Sequence, residues 1–149
     1  MKTFKELLIE LKACESARIW AGDMTIEEVV AKCERGDWLL WLAQKIDIGL
    51  QPLTLAKGHC ANTVRHLMTD KRSIAAIDTA IAYGGGKATF AELKAASDAA
   101  YAAYADAYAA YADVAAAYAA DAASRLKTAD ICRQYIGQLI IDRVNELLY

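Results

Sequence analysis

Ala100-Tyr101-Ala-Ala-Tyr104-Ala-Asp106-Ala-Tyr108-Ala-Ala-Tyr111-Ala-Asp113-Val-Ala-Ala-Ala-Tyr118-Ala-Ala-Asp121 is the stretch whose reading decides the fold. Alanine makes up half of the residues from Ala88 to Ala129, and neither glycine nor proline occurs from Thr89 to Tyr135. Alanine loses no side-chain entropy in a helix, so the segment has helical bias of its own. At about 100° per residue the five tyrosines fall within one arc of roughly 100°, and Asp98, Asp106, Asp113 and Asp121 lie on another side. The tyrosine stripe reads either as a packing seam or as a recognition surface, because tyrosine offers large contact area at low entropic cost. A helix of this length would span about 70 Å, against about 40 Å for the diameter of a domain of this size. It therefore either bends near Ser124 or protrudes, and a protruding rod would favour self-association into a homo-oligomer. Beyond Gly137, residues Leu139, Ile140, Val144 and Leu147 read as a last amphipathic helix.

Working outward, the first 87 residues divide into five short helices. Capping boxes pair Thr3 with Glu6, Thr25 with Glu28 and Thr89 with Glu92. Gly22 and Gly36 read as stops. The expected helices run from Phe4 to Ala21, from Ile26 to Glu34 and, behind an Asp37 cap, from Trp38 to Lys45. A loop through Gly49 and Pro52 leads to a fourth, with Ala56, Cys60, Val64 and Leu67 in line. Asp70 caps a fifth, striped by Ile74, Ile77 and Ile81 and closed by Gly84-Gly85-Gly86. Those glycines precede Lys87, but Ala88 follows and a helix comes before, so a phosphate loop is not expected. The fold class is all-α: one domain over 1–149, with short helices in 1–87 packed on a long Ala/Tyr-rich segment and a terminal helix in 88–149.

Composition bounds the function. The chain has 149 residues, and its hydrophobic share of 56% is inflated by 32 alanines. The remainder suffices for an ordinary core, and no apolar run reaches the ~18 residues of a membrane span. A net charge of −2 argues against a general DNA, RNA or membrane-surface binder. The opening Met1-Lys-Thr-Phe-Lys-Glu6 lacks a secretory pattern, so a cytoplasmic protein is expected. Cys14, Cys33, Cys60 and Cys132 then read as reduced, buried thiols. No ligand spacing for a metal occurs, and no cofactor is expected. Every charge between Ala95 and Ser124 is negative, which suggests ion pairs from Arg18, Arg35, Arg65 or Arg72 onto the aspartates of the long segment. His66 and Asp70 stand four apart, a spacing that can orient a general base. With no nucleophile or cofactor motif beside it, that spacing reads as a structural hydrogen bond and no enzyme is expected.

Three blocks carry a resemblance: Cys14-Glu-Ser-Ala17-Arg18-Ile-Trp20, Cys33-Glu-Arg35-Gly36-Asp37-Trp38-Leu-Leu-Trp41-Leu42, and Cys60-Ala-Asn-Thr-Val-Arg65-His66-Leu-Met68-Thr-Asp70-Lys-Arg72-Ser73. Together with Ala129-Asp130-Ile-Cys132-Arg133 they resemble the bacterial and phage immunity-protein family, the Imm-5-like domains. The resemblance spans nearly the whole chain. It implies a small protein that neutralises a cognate toxin by binding it, and it supplies no catalytic residue. The positions that match are Arg18, Trp20, Arg35, Asp37, Trp38, Arg65, Asp70 and Arg72, which suit either a partner site or a buried ion-pair framework. With His66, Tyr101, Tyr104, Tyr108 and Tyr111 they make the candidate partner- or ligand-binding set. A second reading is a phage-type sequestering protein that holds a nucleotide signal between helices, with arginines on phosphate and an aromatic ring on the base. A third is a structural helical oligomer. A pocket gathering the arginines beside an aromatic wall favours a nucleotide, whereas guanidiniums tied to Asp37 and Asp70 favour a protein target.

Overall fold

The computed structural model describes residues 1–108 and 112–149, with side chains for 1–102 and 125–149. Among the described residues every regular element is helical: α1 (Phe4–Glu10), α2 (Glu15–Ala21), α3 (Ile26–Lys32), α4 (Gly36–Lys45), α5 (Leu50–Asn62), α6 (Lys71–Gly84), α7 (Phe90–Tyr108) and α8 (Ala112–Leu148), with a 3-10 turn at Arg65–Leu67. The all-α bundle expected from the sequence is what the chain forms.

Its spine is the second half of α8. Ala129, Cys132, Ile136, Ile140 and Val144 recur at three- and four-residue intervals and are at most 1% exposed, the apolar stripe of a buried helix face. Helices α1, α3, α4 and α5 pack against that stripe and bring Leu7, Leu8, Ile26, Val30, Leu39, Leu42 and Ala56 into one core. Each large aliphatic side chain buried there contributes about 1.5–3 kcal/mol of transfer free energy. Two arginines of the spine also cap its neighbours. Arg133 Nη1 donates to the carbonyls of Val30 and Cys33 at the end of α3, and Arg143 Nε donates to Ile46 O at the end of α4, 3.0 Å away. The guanidiniums thus satisfy orphan carbonyls where the helix dipole favours positive charge. Helix α6 packs on both α5 and α7, and of α6 only Ile77 is buried.

Several expected boundaries are corrected. The helix expected from Phe4 to Ala21 is two, because α1 ends in a Schellman cap: Ala13 N–H bonds Leu8 O and Lys12 N–H bonds Ile9 O, with Lys12 at φ 60°. Residues 1–87 therefore hold six short helices, not five. Gly36 does not stop a helix but begins α4. A Cβ there would lie 2.6 Å from the carbonyl carbon of Thr128, so only glycine lets α4 approach α8 so closely. The N-cap of α4 is Arg35, and Asp37 sits in its first turn. Pro52 lies inside the first turn of α5, whose missing N–H needs no partner there. Val64 and Leu67 fall beyond the end of α5. Helix α8 runs without interruption through both Ser124 and Gly137, so neither the break near Ser124 nor a separate terminal helix is formed. Both N-terminal capping boxes are present, Thr89 accepts from Glu92 N–H, and Asp70 caps α6 as expected.

Candidate functional site

Apart from Tyr101 on α7, the described candidate residues gather at two corners. At the first, α1, α2, α3 and α4 surround an apolar cavity of about 250 Å³ lined by Phe4, Leu8, Trp20, Trp38, Trp41 and Leu42, with Cys14, Cys33 and Asp37 among its other walls. Trp38 and Trp41 project from one face of α4, and Trp20 reaches across from α2 to place its ring 5.9 Å from that of Trp38, tilted by 56°. All three tryptophans of the chain line this one space. Helix α2 is a thin wall: Ala21 is its only buried residue. It hangs between two residues of positive φ, Lys12 and Gly22.

The charges around the cavity are engaged locally. Arg35 lies 4.5 Å above the Trp38 ring and grips Asp37 with both arms of its guanidinium, Nε to Oδ1 at 3.1 Å and Nη2 to Oδ2 at 2.6 Å. Burial opposes ionisation of Asp37, but the hydrogen bonds and charge of Arg35 outweigh it and hold the carboxyl below its usual value. Arg18 Nε donates to Ala13 O at 3.1 Å and so braces the turn between α1 and α2.

At the second corner the 3-10 turn meets α6. Arg65 pairs with Asp78 through both carboxylate oxygens. Asp70 accepts from Arg72 three times, at the backbone N–H, at Nε and at Nη2. These hydrogen bonds pull the Asp70 and Asp78 carboxyls below their usual value. His66 is exposed on the turn, and among the described residues no hydrogen bond joins it to Asp70. The expected His66–Asp70 pair is therefore not made, because the carboxylate is committed to Arg72.

The buried ion-pair framework is not found either: among the described residues no charged side chain is buried, and the Arg35, Arg65 and Arg72 pairs are all partly exposed. Of the tyrosines, Tyr101 is 76% exposed, and the side chains of Tyr104, Tyr108 and Tyr111 lie outside the described residues, as do those of Asp106, Asp113 and Asp121. Cys14, expected to be buried, is exposed at the start of α2.

A second hollow of about 320 Å³ lies between α5, α6 and α7, lined by Lys57, Gly58, Ala76, Ile77, Leu93 and Ser97 among others. It is more open to solvent and has no aromatic wall. Among the described residues no cluster of His, Cys, Asp or Glu is placed to hold a metal ion, and no helix is long and apolar enough to cross a membrane. Sequence reasoning singled out Trp20 and Trp38 but not the cavity between them. Trp41, which shares a helix face with Trp38, was the available signal.

No family model, no curated protein and no solved structure matches this chain.

Proposed function

We propose that this chain is a non-catalytic binding protein that blocks a protein target, in the manner of the immunity proteins its sequence resembles, by accepting an apolar side chain of the target into the tryptophan cavity. The observation that carries this reading is the pairing of an aromatic, partly open cavity with charges already satisfied by the chain itself. Sites rich in tryptophan with a dry centre and a polar rim supply most of the energy in protein association. A volume near 250 Å³ has room for one aromatic or branched side chain. The nucleotide-sequestering reading needs guanidiniums aimed into a pocket at a phosphate. Arg35, the guanidinium on Trp38, is clamped on Asp37, and Arg18 on a backbone carbonyl.

The test has two arms. Thermal melts against linear and cyclic nucleotides should show no shift, where a ligand at 100 times its Kd would add about 2.7 kcal/mol. With a toxin partner recovered by affinity capture, Trp38→Ala should weaken binding by about 30-fold, since a central aromatic contributes about 2 kcal/mol or more. Arg72→Ala should change it by less than about 3-fold. A nucleotide-dependent rise in Tm, or equal losses from the two substitutions, overturns the reading.

A further inference from the structure

The four walls of the tryptophan cavity are not held alike. Helix α1 buries Phe4, Leu7 and Leu8, α3 buries Ile26, Val29 and Val30, and α4 buries Leu39, Leu42 and Ala43. Arginines of α8 also reach the carbonyl ends of α3 and α4. Helix α2 buries Ala21 alone, and Ile19 on it is 73% exposed. Among the described residues no ion pair leaves α2, and the hydrogen bonds of residues 14–22 stay within 13–24. Arg18 Nε meets Ala13 O, and Met24 N–H closes a turn on Ala21 O. What joins α2 to the rest is apolar contact: Ala17, Trp20 and Ala21 line the cavity, and the Trp20 ring leans on Trp38.

Both ends of α2 have the backbone of a hinge. Lys12 stands before it at φ 60°, and Gly22 follows it at φ 51° and ψ −122°. Cys14 opens the helix without a side-chain cap. Beyond these points the chain is fixed again. On one side Ala13 N–H bonds Leu8 O; on the other Met24 packs on the core and Thr25 opens α3 with a capping box. Hinges of this kind sit at element ends, where one or two residues absorb the change in backbone angle.

We propose that α2 is a lid: it swings outward as a unit about Lys12 and Gly22, parts Trp20 from Trp38, and opens the cavity to one apolar side chain. A segment with few buried contacts and no hydrogen bond to its neighbours opens at a small fraction of the free energy of global unfolding. The other three walls cannot move this way without emptying the core. Closed, the lid keeps an aromatic surface that would attract unrelated partners out of water. As the entry for a target's side chain, the lid rests on the binding role proposed above. As a motion it belongs to the chain alone and is tested with no partner present, so a fixed α2 and a failed binding role give different results.

The chain carries its own reporter. Cys33 is 2% exposed in the cavity wall, whereas Cys132 is buried outside the cavity and Cys14 is exposed. The experiment combines amide hydrogen exchange with N-ethylmaleimide labelling of the full chain, both mapped by mass spectrometry. Amides of residues 18–22 should exchange at least about 100-fold faster than those of residues 39–43. Cys14 should label first, Cys33 next and Cys132 last. Two mild variants separate the lid from global unfolding: Trp20 is 37% exposed, and Ile140→Val removes one carbon. Trp20→Ala should speed both α2 exchange and Cys33 labelling about 10-fold, the worth of an aromatic pair. Ile140→Val should speed Cys132 labelling about 5-fold and leave α2 exchange and Cys33 labelling unchanged. The proposal is overturned by α2 amides as protected as those of α4, or by Cys33 labelling that rises with Cys132 in Ile140→Val. Cys33 labelling or α2 exchange that ignores Trp20→Ala overturns it too.

Discussion

The two corners that collect the candidate residues use similar parts to opposite effect. Each has an arginine folded onto an aspartate two residues away, Arg35 on Asp37 and Arg72 on Asp70. At the α5–α6 corner the charges are paired at the surface, and none of them lines the hollow between α5, α6 and α7. At the α1–α4 corner the pair lies over the face of Trp38 and beside a cavity that three tryptophans border. Paired charges at a helix start are capping and surface chemistry. Apolar space bordered by aromatic rings is what singles out the α1–α4 corner as the candidate site.

That contrast can be strained from beneath. The cavity stands on α4, which rests on the α8 spine, whereas the other corner rests on α6, where only Ile77 is buried. Ile140→Ala should cost about 4 kcal/mol in urea unfolding, a fully buried aliphatic truncation with a residual void. Ile81→Ala, partly exposed on α6, should cost about 1 kcal/mol. Equal losses would mean that the two corners share one core.

Next in size is the α1–α2 turn that carries the thin wall of the cavity. Lys12 sits at φ 60°, where a side chain costs about 1–2 kcal/mol relative to glycine. Lys12→Gly should raise stability by about 1 kcal/mol in urea melts and leave the tryptophan emission unchanged. A loss of stability would show that the Lys12 side chain, not its backbone, holds the turn.

The smallest effect concerns pH. Asp37 has its carboxyl held below the usual value in the folded chain, so its contribution is complete above the unfolded value near 3.9 and fades as pH falls through the folded one. The stability gap between wild type and Asp37→Asn should therefore be larger at pH 6 than at pH 3. A gap that widens in acid would reverse the sign assigned here. The pair is half exposed, which keeps the effect small.

The difference between signal and silence in the sequence has physical causes. Thr3, Thr25, Thr89 and Asp70 announce helix starts because a side-chain oxygen must meet an orphan N–H at a fixed spacing. Helix ends are less legible. Schellman caps close α1, α4 and α6, yet only the last has glycine, Gly86, in the left-handed position; Lys12 and Asp47 fill it in the others. Gly36 and Gly137 look like punctuation but are points of close approach, to Thr128 and to Val30. The sequence left open whether the guanidiniums are tied to Asp37 and Asp70, because residues i and i+2 do not meet on a helix. Arg35 and Asp70 are N-caps with extended backbone, where that spacing shares a side. The spine was partly legible: Ile140 and Val144 were read as apolar, but Ala129, Cys132 and Ile136 were divided from them at Gly137.

The proposed binding role is tested most directly by a heteronuclear NMR titration of the labelled chain with a protein captured by it, following the three indole Nε1–H signals. The account predicts that all three shift or broaden, while the backbone signals of Asp70 to Ser73 stay in place. Saturated binding that leaves the three indoles unmoved and shifts the Asp70–Arg72 corner instead would contradict it.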